Sequence, residues 1–282
     1  MNNFHNYPCR LSAVLLLVAL FSVALLAQTK VPAESLTDTT VWKLVWSDEF
    51  NAPQLDTNTW RLSDGGGGWG NGELQKYTNL PENIRLEQGN LVIEARKTDS
   101  GYTSARMNTR FGERFTYGRV ESRMKIPQTQ AIWPALWMMG DTNEKAWPGC
   151  GEIDIMEAIG KEPRVVHGTV HGPGYSGAKG IGKGYTTPAL GDSKESIHDF
   201  GSEWHIVSLE WEPEAIRWYM DGVLFNTLSP NDIPAGKKWV FDHDFYLIVN
   251  LAVGGAWPDY PDASSVFPQQ FVLDYLRVYQ KK

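Results

Sequence analysis

Three carboxylates fall within six residues at Glu152-Ile153-Asp154-Ile155-Met156-Glu157. In a strand, side chains alternate between faces, so Glu152 and Asp154 share one face while Ile153 and Ile155 share the other. Strict alternation would send Glu157 to the apolar side, where an ionised carboxyl is costly to bury. One extra residue near Ile155-Met156 repairs the parity, and a β-bulge there brings all three acids to one face. Met156 is flexible enough to fill the gap that a bulge leaves. Like charges at this spacing repel, so the arrangement suits a metal site or acid–base chemistry. A solvated strand face is the alternative for an E-x-D pair alone. The flanks shift the balance, because Trp133, Trp137 and Trp147 crowd the stretch. Flat aromatic faces beside paired carboxyls suit a sugar ring, and two carboxyl groups can cut a glycosidic bond.

The elements that must position these acids read as strands. Residues 119–126 alternate, with Arg119, Glu121, Arg123 and Lys125 on one face and Val120, Ser122, Met124 and Ile126 on the other. Residues 91–95 and 206–211 are further short strands, and the continuous apolar run 245–251 reads as an inner one. Residues 216–220 and 223–226 flank Asp221-Gly222, a pair suited to a tight hairpin turn. Helix-period patterns of useful length are absent after residue 26. Many short strands separated by Gly, Pro, Asn and Asp turns indicate an all-β sandwich. Three glycine-rich loops interrupt them, at 64–72, 172–191 and 254–258, and the first and third carry Trp69 and Trp257. The first lacks the lysine and helix start of a phosphate cradle.

The chain has 282 residues, enough for one large sandwich. A formal charge of −7 argues against a nucleic-acid partner. Twelve tryptophans exceed what a core usually needs. Arg10 followed by the apolar run 11–26 predicts a signal peptide over residues 1–27, with an uncleaved anchor as the alternative. Export implies a secreted or periplasmic protein, without membrane attachment after cleavage. Residues 28–41 read as a short linker and 42–282 as one catalytic domain. Cys9 lies ahead of the apolar run, which leaves Cys150 alone in the mature chain as a small buried residue. A monomer is the default expectation.

The stretch 152–157 resembles the active-site signature of glycoside hydrolase family 16, in the form with one extra residue. Other segments resemble the bacterial laminarinase (endo-1,3-β-glucanase) branch, in that family's order. They are Trp69-Gly70-Asn71-Gly72-Glu73-Leu74-Gln75, Thr103-Ser104-Ala105-Arg106, Trp133-Pro134-Ala135-Leu136-Trp137 and Thr169-Val170-His171-Gly172. Asn250-Leu251-Ala252-Val253-Gly254-Gly255 and Leu273-Asp274-Tyr275-Leu276-Arg277-Val278-Tyr279 complete the set, so the resemblance covers about residues 42–282. It implies a concanavalin A-like β-jelly-roll sandwich with an open cleft on its concave face. It also implies an endo-acting, retaining β-glucanase that needs no cofactor for catalysis. Glu152 is then the nucleophile, Glu157 the general acid/base, and Asp154 assists between them. Trp133 and Trp137 resemble a sugar-stacking platform. Arg106 and Asn71 resemble polar contacts to sugar hydroxyls, and His171 a histidine near the cleavage point. Trp147 and Trp257 are further substrate-binding candidates. A structural Ca2+ away from the cleft is implied, with Asp274 as side-chain ligand and backbone carbonyls near Glu49 and Gly89. The expected substrate is a β-1,3-glucan. Mixed β-1,3/1,4-glucan, a galactan, and glucan binding without catalysis are the alternatives. Met156 leans toward the β-1,3 branch, because the mixed-linkage branch usually lacks that residue.

Overall fold

The computed structural model describes residues 1, 34–187, 200–201 and 203–282. The expected signal peptide (its first residue apart), the first part of the expected linker, and the end of the second glycine-rich stretch lie outside the described residues. Strands begin with β1 (Trp42–Asp48), β2 (Arg61–Leu62), β3 (Gln75–Tyr77), β4 (Ile84–Glu87), β5 (Asn90–Thr98) and β6 (Gly101–Ser104). They continue with β7 (Arg106–Asn108), β8 (Arg114–Phe115), β9 (Gly118–Lys125), β10 (Ile132–Gly140), β11 (Glu152–Glu157) and β12 (Val165–His171). The last are β13 (Ile181–Thr186), β14 (His205–Glu212), β15 (Ala215–Met220), β16 (Val223–Leu228), β17 (Phe245–Val253) and β18 (Gln269–Lys281). Helical structure among the described residues is confined to single 3-10 turns at Gly177–Lys179 and Pro230–Asp232. None of it is long and apolar enough to cross a membrane.

These strands make two sheets, stacked as a β-jelly-roll sandwich. One runs β16-β15-β14-β9-β18-β5-β6-β3, with β1 on β18 and β4 on β5. The other runs β13-β12-β11-β10-β17-β7-β2, with β8 on β17. The period-2 pattern explains the stacking. Leu136 and Met138 of β10, Ile153 of β11, and Leu247, Val249 and Leu251 of β17 point inward, where they join Val120, Met124, Leu209 and Phe271 of the other sheet in one core. Each fully buried side chain of this size contributes about 1.5–3 kcal/mol relative to exposure. The run at 245–251 is an inner strand as expected, buried along all of β17. Asp221 and Gly222 take φ of 48° and 79°, the left-handed pair that a tight hairpin between β15 and β16 requires.

The charged face of β9 departs from a simple solvated surface. Arg119 and Glu121 are buried. Ser35 and Thr37, inside the segment read as linker, hydrogen-bond Glu121 at 2.6 and 2.8 Å and cover it. Arg119 adds Glu210 at 3.0 Å and Ser208 at 2.8 Å. Tyr275 Oη donates to Glu121 at 2.9 Å. Burial is tolerated because each charge finds several partners.

The bulge expected in β11 is present. Against β10, Leu136 faces Met156 but Trp137 faces Asp154, so Ile155 is the extra residue. Against β12, Asp154 faces Thr169 and Glu157 faces His167. Ile155 and Met156 both enter the core, and the three acids keep to the outer face. A bulge disrupts the ladder locally and can leave a carbonyl in need of a donor. Here the Trp218 indole, from the opposite sheet, donates to Asp154 O at 2.8 Å. Gly168 on β12 makes the room, since a Cβ there would lie 2.4 Å from Trp218 Cδ1.

Candidate active site

The outer face of the eight-stranded sheet carries an open cleft of about 380 Å³. Alternation builds its floor. Trp133, Ala135, Trp137 and Met139 come from β10, Glu152, Asp154 and Glu157 from β11, Asn250 and Ala252 from β17, and Arg106 from β7. The loops add Trp69, Gly70, Asn71, Thr142 and Trp147.

Each glutamate is held by its own indole. Trp147 Nε1 donates to Glu152 Oε2 at 2.9 Å. Trp133 Nε1 donates to Glu157 Oε1 at 3.0 Å. His171 Nε2 stands 3.1 Å from Asp154 Oδ2 and 3.6 Å from Glu152 Oε1. Its position follows from register, because Glu152 and His171 are direct neighbours on β11 and β12.

The three acids cannot all ionise at ordinary carboxylate pH. Burial, reinforced by the Asp154 charge, pushes Glu152 up to about 8, against the pull of His171, the Trp147 N–H and Arg106. Burial and then the Asp154 charge hold Glu157 well above its ordinary range, with His171 and the Trp133 N–H opposing. Burial alone raises Asp154 well above its own. Burial and mutual repulsion thus keep a proton within this cluster, as a proton donor requires. Cys150 has no such role, since burial pushes its thiol up to about 11.

The remaining expected residues divide by place. Arg106 lies between two indoles, 5.1 Å from the Trp69 ring and 4.8 Å from the Trp137 ring. Trp137 Nε1 donates to Asn250 Oδ1 at 2.7 Å. Asn71 Nδ2 donates to Glu73 at 3.0 Å, and its carbonyl accepts from Ala256 N at 2.9 Å, tying the first glycine-rich loop to the third. Trp257 meets the Trp133 edge at 5.4 Å and His167 at 5.0 Å, beside the cleft floor. Asp274 lies on β18 of the other sheet, Glu49 just after the end of β1, and Gly89 in the turn between β4 and β5. The β18 register sets Leu273 opposite Leu91 and Leu276 opposite Asp48, so the three fall at one end. Arg123 pairs with Asp274 Oδ2 at 2.7 Å, and Arg277 grips both Glu49 oxygens at 2.7 and 2.8 Å. Side-chain charge there is met by guanidinium groups, so a cation at Asp274 would share the carboxylate with Arg123.

Trp69, Glu73, Met139, Thr142 and Asn250 were not among the expected site residues. Period-2 counting from Trp133 and Trp137 would have reached Met139, and Asn250 is the polar break in an apolar run. Glu73 accepts from Asn71, Gln75 and Tyr77, and so braces the loop beneath Trp69. Thr142 carried no signal in the sequence.

Trp133→Phe tests the indole brace. It removes the donor to Glu157 while keeping most of the ring. We expect turnover to fall about tenfold, the scale of one lost hydrogen bond to a charged group. The alkaline limb of the pH–rate profile should move upward, because the lost N–H favoured the ionised carboxyl. An unchanged profile would make the contact incidental.

Paired carboxyls on a tryptophan-lined cleft fit the comparisons with known proteins. A family model described as "Glycosyl hydrolases family 16" matches residues 71–266. A beta-glucanase of Rhodothermus marinus is 42% identical over 252 residues, which cover 85% of each chain. Glucan endo-1,3-beta-glucosidase A1 of Niallia circulans is 37% identical over 270 residues, 85% of this chain and 38% of that protein. The solved laminarinase catalytic domain of Thermotoga maritima aligns with a TM-score of 0.80 at 48% identity, covering 86% of this chain and 99% of that domain. With the signature acids on one face of β11 and the same sandwich beneath them, this chain belongs to glycosyl hydrolase family 16.

Proposed function

We propose that the protein is a secreted or periplasmic, monomeric endo-1,3-β-glucanase that cleaves internal bonds of laminarin-like glucans with retention. The observation that carries this reading is the pair Glu152 and Glu157, on one face of one strand and each braced by an indole N–H. The relatives' activities favour the β-1,3 linkage, and an open cleft suits an internal segment of a long chain.

Two steps follow. Ionised Glu152 attacks the anomeric carbon while protonated Glu157 gives its proton to the leaving oxygen, and the glycosidic bond breaks. The product is a glycosyl ester on Glu152. Glu157, now a carboxylate, takes a proton from water as that water attacks the same carbon and expels Glu152. Two inversions at one carbon give net retention, which requires carboxyls about 5–5.5 Å apart. Asp154 and His171 lie against Glu152 and orient it.

Purified residues 28–282 should be assayed on laminarin, barley mixed-linkage glucan and agarose together, with the first-formed anomer followed by NMR. Rapid release of β-configured oligosaccharides from laminarin, with little from agarose, is expected. Faster release from the mixed-linkage glucan would reassign the linkage. Glucan binding with no release would leave a binding protein.

The reading retains a calcium ion at Asp274, with backbone carbonyls near Glu49 and Gly89, and gives it no part in catalysis. Hard oxygen donors are the appropriate chemistry. Calcium should raise the melting temperature by several degrees over EDTA, with turnover per folded molecule unchanged. Identical melting curves would reject a calcium ion at Asp274.

A further inference from the structure

We infer that Glu152, Asp154 and His171 form an inhibitory site for one borderline transition-metal ion, of which zinc is the representative. Among the described residues, this is the group whose His and carboxylate atoms converge as three ligands, all within 4.8 Å of one another. Zinc bonds of about 2.0–2.2 Å at tetrahedral angles hold ligand atoms about 3.3–3.6 Å apart. His171 Nε2 lies 3.1 Å from Asp154 Oδ2 and 3.6 Å from Glu152 Oε1. An ion there replaces a poorly aligned contact with two bonds, and a third joins it from Glu152.

A second observation points the same way. Asp154 is 3% exposed, and its Oδ2 accepts no hydrogen bond despite the nearby imidazole. Buried carboxylate oxygens are normally satisfied, and an unsatisfied one calls for a missing partner. Glu152 and Asp154 line the cleft, from which water would complete the shell in the place a sugar takes. One imidazole and two carboxylates suit zinc or copper(II) better than calcium or magnesium, which want six or more oxygens. His171 Nδ1 has no hydrogen-bond partner, so the ligand lacks the outer brace that tight zinc sites use. The site should therefore exchange its ion readily. Other histidine–carboxylate pairs, His205–Asp221 at 2.8 Å and His167–Glu162 at 3.1 Å, each offer two ligands.

Inhibition rests on the proposed role of Glu152, because the ion would occupy the oxygen that attacks. Binding does not rest on it. The whole chain, stripped with EDTA and dialysed, should be titrated with cobalt(II) by visible absorption and with zinc by calorimetry. We expect a tetrahedral cobalt band and one zinc per chain. His171→Gln and Asp154→Asn should each weaken zinc at least tenfold, with folding checked by melting. Glu152→Gln gives the same comparison should either fail to fold. Laminarin oligosaccharides should compete with zinc, and EDTA should restore glucan turnover. No cobalt band and no zinc uptake in the wild type would overturn the inference. So would unchanged affinity in the folded variants, which places the ion on a surface pair. Zinc bound at this site by a chain that hydrolyses no glucan when metal-free would retain the metal site and reject the glucanase reading.

Discussion

Glu152→Gln is expected to lower kcat by at least about 10⁴-fold, the scale seen when a covalent nucleophile is removed. The amide is isosteric and its oxygen can still accept from Trp147 Nε1, so the cleft keeps its shape. Oligosaccharide affinity should be retained, which separates a chemical loss from a folding loss. Glu152→Ala adds a chemical signature. A small anion such as azide can enter the vacated space and attack the anomeric carbon from that side, giving an α-configured glycosyl azide. The partner variant Glu157→Ala leaves the nucleophile intact, so azide there intercepts the ester and gives the β product. Near-normal turnover of Glu152→Gln, or the opposite azide anomers, would remove Glu152 from this role.

Glu157→Gln should lose about 10²–10⁴-fold on glucan, the usual range for a general acid–base group. The loss should be far smaller for aryl glycosides whose leaving group needs no proton. The alkaline limb of the pH–rate profile should disappear with the titrating proton. The same variant tests the electrostatics of the triad. Glu157 has a folded value well above its unfolded one, because burial and Asp154 disfavour its charge. For such an acid, the contribution to stability is fully present below the unfolded value and is lost as pH rises through the folded value. The wild type should thus lose stability relative to Glu157→Gln as pH climbs above about 4.5. Each kcal/mol recovered at high pH corresponds to about 2–4 °C of melting temperature in a domain of this size. Parallel melting curves across the range would mean that Glu157 is not under this strain.

The chemistry was legible in residue types and parity. Six residues with three acids forced either a buried charge or a bulge, and Ile155 supplies the bulge because two isoleucines and a methionine all need the core. The all-β sandwich followed from short alternating runs and turn residues, as Asp221-Gly222 shows. The tertiary structure decided what no local pattern contains. It brought Trp218 from the opposite sheet to the Asp154 carbonyl and set His171 beside Glu152 through the β11–β12 register. It also buried Arg119 and Glu121 beneath Ser35 and Thr37, and set Arg123 against Asp274. These pairings join residues far apart in the chain, and their geometry depends on how two twisted sheets stack. The sequence by itself determined which groups could do the chemistry. Only the packed sandwich decided their neighbours, and through burial and those neighbours the raised pKa values of all three acids.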